Sequence, residues 1–480
     1  MSGHNEATAT MPFTLDFRFL ARAVPQAQLQ SYSWIVTSRT TAYLLGGRQS
    51  GLHKFHPGGG GNFPDPNTHL WKLDLATGTT RQLLDLTLLR PDLAAPLTAT
   101  NQQCYHDRAT GEWLVVGGYG IVQATASMLT FDTLIRIPVA QFVEVVESAD
   151  PDPVKVAKLE AMMIVQHDPA FAVTGGALRK LGHRYLLVGG QLYDGSYDPF
   201  LGNVDQEYTG AVRYFQIDPQ TDAAVSIGAL TSPDLDQPLH RRDGPIIDTI
   251  DPATGAPRVT AFGGVSPPGQ LDGYYNPVNV DLRNGQLLVT TDRRTTQLFN
   301  QYECPTVVVW HGTQSLVYHT FFGGISRTFY HQTPPQKAMY DTVTQQGRND
   351  GLPFVCDIST LRTPKGGATE EFLAPEPIPT YALRGASTEL MPPAPGSHPA
   401  VAPSGVVDLD LVKPGEQVLV GYIFGGIEAE MPLPKYPNFG SAATDAFYQV
   451  LLTRVPSKPF LPASVGRRAV GVLQPPTVTA

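Results

Sequence analysis

An apolar run closed by two glycines occurs six times in this chain of 480 residues. The copies are residues 43–47 (YLLGG), 113–118 (WLVVGG), 185–190 (YLLVGG), 259–264 (VTAFGG), 317–324 (VYHTFFGG) and 421–426 (GYIFGG). Most successive copies stand roughly 60 to 75 residues apart, with one longer interval, which is the scale of a repeated supersecondary unit. Each copy sits in the same grammar. A turn such as 108–111, 252–255 or Pro414-Gly415 precedes it, and before the turn lies another apolar stretch such as 244–251 or 405–412, so the two form a hairpin. A third strand follows the diglycine, read at 70–74, 128–132 and 212–218, and a fourth follows a short turn, as at 80–84. Glycine at the strand end permits positive φ and lets a neighbouring backbone approach where a Cβ would stand.

Four antiparallel strands repeated six times predict an all-β chain, a six-bladed β-propeller over residues 13–455 with terminal tails at 1–12 and 456–480. The diglycines at 46–47, 117–118, 189–190, 263–264, 323–324 and 425–426 resemble those of the kelch-repeat family, and the general likeness is to bacterial kelch propellers without an assigned activity. The chain departs from the family pattern in one respect: Trp71 alone supplies a tryptophan to the third or fourth strands. Only one good strand, 446–453, follows the last diglycine, while 13–20 is left over at the start. These two are predicted to pair, so that the N-terminal strand completes the last blade and covers its edge.

Composition agrees with the repeat and narrows the function. Charged residues are 16% of the chain while 46 glycines and 43 prolines are dispersed along it, which suits short strands and tight turns. A net charge of -9 with scattered Lys and Arg gives no basic stripe for nucleic acid and no polybasic anchor for a membrane. Three distant cysteines form no disulfide framework and no zinc spacing. No basic-then-apolar leader opens the sequence as written, so a cytoplasmic location is expected, or a secreted one if a leader has been removed. Oligomeric state is not encoded in any feature of the repeat.

Propeller topology gathers the loops after each diglycine with those entering the next blade, and the long loops concentrate there, so a ligand site is expected on that mouth. The candidates there are Arg48, Gln191, Arg241, Arg242, Tyr302, Glu303, Tyr330, His331 and Glu428. Adjacent Arg241 and Arg242 suit a carboxylate, a sulfate or an acidic sugar, or else tie blades together through Asp243 or Glu303. Loop tyrosines, among them Tyr193, Tyr197, Tyr274, Tyr275 and Tyr436, suit sugar rings and protein surfaces alike. His53, His56 and His69 are weak metal candidates beside the glycine run 58–61. Residues 151–163 read as a short helix laid over the mouth.

The reading that results is a non-enzymatic binding or scaffold propeller that holds a protein partner or a glycan on its loop-rich face, with no cofactor. The alternative is a carbohydrate-active enzyme at the channel mouth: an epimerase, a mutarotase or a copper-radical oxidase. For the oxidase, the resemblance implies Cu held around Cys304 and one of the pairs Tyr105-His106, Tyr318-His319 or Tyr330-His331. Fe-dependent kelch proteins place Glu, Asp and His four residues apart, a pattern missing here.

Overall fold

The computed structural model describes residues 10–21, 24, 26–52, 65–122, 124–195, 205–268, 272–331, 337–341, 352–432, 440–459 and 461–462. His53, His56, the glycine run 58–61, Tyr197 and Tyr436 lie outside them. The described chain is all-β, built from successive antiparallel sheets. The first comprises Ser33–Val36, Thr41–Leu45, His69–Asp74 and Thr80–Asp85 in that order. The second orders Gln103–Asp107, Glu112–Val116, Thr133–Pro138 and Ile164–His167 in the same way. The third uses Thr174–Leu181, Arg184–Asp194, Ala211–Ile217 and Ala224–Thr231, and the fourth Ile246–Ile250, Pro257–Ala261, Val278–Arg283 and Gln286–Thr291. The fifth is centred on Thr306–His311, Leu316–Phe322, Ile358–Pro364 and Glu370–Leu373.

The sixth sheet joins the two ends of the chain. Thr10–Phe19 pairs antiparallel with Phe447–Pro459, setting Phe13 opposite Arg454 and Phe17 opposite Val450, and Gln417–Phe424 flanks the other side. Phe13 is fully buried with its ring edge-on to Tyr318 at 5.2 Å, and Phe17 meets Phe322 at 4.5 Å. The N-terminal strand therefore binds the sixth sheet to the fifth as well as covering an edge.

The diglycines explain how sheets meet. In every pair both residues have positive φ, and a Cβ on the first would overlap a carbonyl oxygen of the residue entering the next sheet: Gly46 meets Ala99 and Gly323 meets Arg384. The sixth pair meets Leu29, which enters the first sheet, and Gly426 N donates to that carbonyl at 2.8 Å. Neighbour contacts thus run through the six sheets named above and return to the first.

Three expectations need correction. Residues 128–132 are not the third strand of the second sheet; Ser127–Thr130 pairs with Tyr119–Val122 in a separate hairpin, and the more apolar Thr133–Pro138 takes the ladder position. Residues 405–412 do not open the last hairpin. Val407–Asp408 runs parallel to the fifth sheet at Val309 and Trp310, and Met391 bridges Tyr422 in its place. The sequence VVDLDLV alternates well enough for either edge, so tertiary packing decides. Finally, residues 151–163 do contain a helix, Asp152–Met162, but it follows a second one, Val139–Glu147, inside the second sheet at the hairpin-turn end. Val139 N bonds to Gly111 O there, and Phe142 packs on Trp113 and Tyr43. The pair covers apolar surface far from the diglycines. No helix among the described residues is long and apolar enough to cross a membrane.

Candidate functional site

One residue per sheet entry forms a collar at the diglycine end. Ser31, Asn101, Gly175, Asp243, Glu303 and Ser387 all have left-handed backbones, with φ between 51° and 66°. Backbone N–H groups link them in sequence: Ser31 to Ser387 O (2.8 Å), Asn101 to Ser31 O (3.0 Å), Gly175 to Asn101 O (3.4 Å), Asp243 to Gly175 O (2.7 Å) and Glu303 to Asp243 O (2.7 Å). Across the remaining side, Ser387 Oγ donates to Glu303 Oε2 at 2.6 Å.

Above the collar the side chains engage one another. Arg242 donates to Asp243 Oδ2 (3.1 Å), Gln191 Oε1 (3.0 Å) and the Tyr208 hydroxyl, while Arg48 donates to Gln30 Oε1 at 3.3 Å. Burial pushes the Glu303 carboxyl up, the Asp243 charge beside it adds to this, and Arg48 opposes it. Asp243 is raised too, by burial, against the pull of Arg242. Two neighbouring carboxyls that are both pushed up favour the state in which one of them keeps its proton. Four candidates, Arg48, Gln191, Arg242 and Glu303, are thus brought together.

The others are not. Arg241 is fully buried and donates to four backbone carbonyls: Pro238 (2.6 Å), Gly263 (3.0 Å), Asn276 (3.1 Å) and Ala261 (3.2 Å). Its guanidinium also lies 4.3 Å from the centre of the Tyr274 ring. It has no face to offer a ligand, and the partners are carbonyls rather than the carboxylates expected of an inter-blade tie. Tyr302 belongs to the apolar core with Val307 and Ile325. Glu428 accepts from Arg384 at 3.0 Å and Thr444 at 3.2 Å. Tyr330 and His331 form a separate network on Asp357, with His331 Nδ1 2.8 Å from Oδ1.

His69 stands at a strand start, its Nδ1 3.2 Å from the Thr68 hydroxyl. Among the described residues no three His, Cys, Asp or Glu side chains are grouped to hold a metal. Nor do the Tyr-His pairs converge. Tyr318 is buried against Phe13, while His319 bonds to Thr249 at 2.7 Å and burial pushes its pKa down to about 3.

Below the collar lies a cavity of about 1010 Å³, lined by the first strands of the sheets and by part of the segment after Glu389. Of the nine ligand candidates only Glu303 reaches it. At its waist stand Trp34 from the first sheet, Tyr105 from the second, Arg179 from the third, Asp248 from the fourth and Glu389, which leads into the sixth. Arg179 donates to Leu178 O at 2.9 Å and, at a longer 3.4 Å, to Glu389 Oε1; Trp34 Nε1 reaches Glu389 Oε2 at 3.3 Å. Asp248 accepts no hydrogen bond among the described residues, and Tyr105 Oη makes none. Burial pushes the Asp248 carboxyl up to about 6, against the pull of Arg179 and with a push from Glu389. These groups touch the cavity, yet protein surrounds them, which is why they are desolvated without being sealed.

Towards the hairpin-turn end charges are matched again. Asp107 takes Lys180 and the Tyr185 hydroxyl, and Arg258 takes Asp281 at 2.7 Å. Of the waist residues, sequence reasoning named only Tyr105, and that as half of a candidate copper pair. Each follows its collar residue by two to five positions, so the repeat register itself was the usable signal.

No family model matches the sequence, and no curated protein matches it. Among solved structures, that of YjhT is similar at 13% identity with a TM-score of 0.46, over 88% of this chain and 94% of that one.

Proposed function

We propose that the chain is a six-bladed propeller of kelch type and that it binds a small hydroxyl-rich ligand, such as the end of a glycan, in its axial cavity. Support for the ring comes from the diglycine contacts that return to the first sheet, from the collar, and from the N-terminal strand in the sixth sheet. Deleting residues up to Leu20 removes the burial of Met11, Phe13 and Phe17, each worth about 1.5–3 kcal/mol. The truncated protein should melt well below the intact one, and equal melting would contradict closure by this strand.

One observation carries the binding reading: aromatic and charged side chains from four sheets and from Glu389 converge on a cavity in which Asp248 and Tyr105 have no hydrogen-bond partner among the described residues. A carboxylate and a phenol that face a cavity without protein partners can take them from a ligand, and sugar hydroxyls supply donors and acceptors together while Trp34 and Tyr105 offer apolar faces. On the loop-rich face, where a partner was first expected, the described candidates Arg242, Glu428 and His331 already engage Gln191, Arg384 and Asp357. Calorimetric titration with a panel of monosaccharides and oligosaccharides tests the reading. Saturable binding that weakens at least about tenfold in Trp34→Ala is expected; a folded protein that binds no sugar would contradict it.

The Glu303–Asp243 pair favours a second reading, in which the same cavity interconverts sugar epimers or anomers. A carboxyl that keeps its proton near neutral pH is a general acid. Glu303→Gln should then abolish anomer exchange followed by NMR while binding persists.

A further inference from the structure

Charge at the waist of the cavity is unbalanced. Asp248 and Glu389 line it from different walls, and Arg179 donates to Glu389, while Lys180 and Arg258, which also line the cavity, are taken by Asp107 and Asp281. The groups around them register the excess. The Cys104 thiol is pushed up to about 11 by burial first and then by Glu389, whose influence exceeds that of Arg179. The Tyr105 hydroxyl is raised by burial first, then by Asp248, which acts on it more strongly than Arg179 or Arg108. Arg108 belongs to the turn end, three residues further along the strand, or about 10 Å. A carboxylate with no donor among the described residues, in a cavity that a phenol and an indole also line, is an arrangement that accepts an organic cation.

We infer that Asp248 and Glu389 form a subsite for a primary ammonium group, so that the cavity selects an amino sugar with a free amine over its neutral or N-acylated counterparts. The inference rests on the sugar-binding reading above. Glu389 is already held by Trp34 and Arg179, which leaves its remaining acceptor capacity and both oxygens of Asp248 for the three N–H donors of the ammonium. An acetamide in the same place supplies one donor, no charge and a carbonyl that faces two carboxylates.

Titration of the full-length protein with glucose, glucosamine and N-acetylglucosamine at pH 7 tests this. Glucosamine should bind at least about tenfold more tightly than either of the others, as charge-assisted hydrogen bonds do relative to neutral ones. Asp248→Asn should reduce that preference to about threefold or less, and Glu389→Gln should reduce it in the same direction. At pH 5 the preference should shrink in the wild type, because Asp248 gains a proton while the amine keeps its own. Tyr105 and Cys104 stay neutral and Arg179 stays charged at both pH values.

Equal binding of all three sugars, or a preference for the acetylated one, would overturn the ammonium subsite and leave the sugar reading standing. Binding of none of them to the folded protein would remove both.

Discussion

The diglycine face and the axial cavity both carry arginines and carboxylates, and they use them differently. On the face, Arg242 is shared among Asp243, Gln191 and Tyr208, Arg384 meets Glu428, and His331 meets Asp357. In the cavity, Asp248 has no hydrogen bond among the described residues, and burial destabilises its carboxylate form. Abundance of polar residues therefore does not locate a site. What locates one is a desolvated group whose hydrogen-bonding capacity the fold leaves unfilled.

The sharpest way to break this comparison is to remove a fully engaged arginine from the face. Arg241→Ala would strand the carbonyls of Pro238, Ala261, Gly263 and Asn276 in a buried site, and we expect a loss of about 3 kcal/mol or more in urea unfolding. Sugar affinity of the surviving folded protein should stay within about twofold. A variant that keeps its stability and loses its ligand would return the site to the loops.

Asp248→Asn should do the opposite. The folded carboxyl titrates at about 6 against 3.8 for the free side chain, so the folded state binds this proton more tightly than the unfolded state. The group's favourable contribution is present below about pH 4 and is lost as the pH rises through about 6. Asparagine removes that penalty, and the ligand-free variant should exceed the wild type at pH 7.5 by about 1–3 kcal/mol. The gain should vanish near pH 4. Stability that rises while the amine preference falls is the mark of a binding group; a structural ion pair would lose stability.

Much of the fold was legible because the diglycine requirement is local. Positive φ and a carbonyl where Cβ would stand can be satisfied only by glycine, so each repeat announces where one sheet meets the next. The N-terminal strand was legible for a related reason: residues 13–20 alternate with no partner nearby, and 446–453 lacks one. The last hairpin was not, because residues 405–412 fit the edge of the fifth sheet as well as that of the sixth. Nor was the helix Val139–Glu147, whose partners Trp113 and Tyr43 come from two different sheets. The waist was hidden for the deeper reason. Trp34, Tyr105, Arg179, Asp248 and Glu389 are separate in sequence and each is unremarkable in its own segment. Only the meeting of the sheets makes them a set. Arg241 and Arg242 drew attention as neighbours, yet adjacent residues on an extended chain point apart, and one ends on core carbonyls while the other reaches the collar.

The smallest effect is expected from Gln191→Ala. The change removes one acceptor from Arg242 and one from Gln206, near the solvent side of the collar, and should cost about 1 kcal/mol or less. Affinity for glucosamine should not change measurably. A tenfold loss would move the ligand above the collar and reverse the comparison.

A crystal structure of the protein with glucosamine tests the central claim most directly. The account predicts density for the sugar below the collar, between Trp34 and Tyr105, with its amine within about 3 Å of the Asp248 carboxylate. Density above the collar, among Arg48, Gln191, Tyr208 and Arg242, would contradict it.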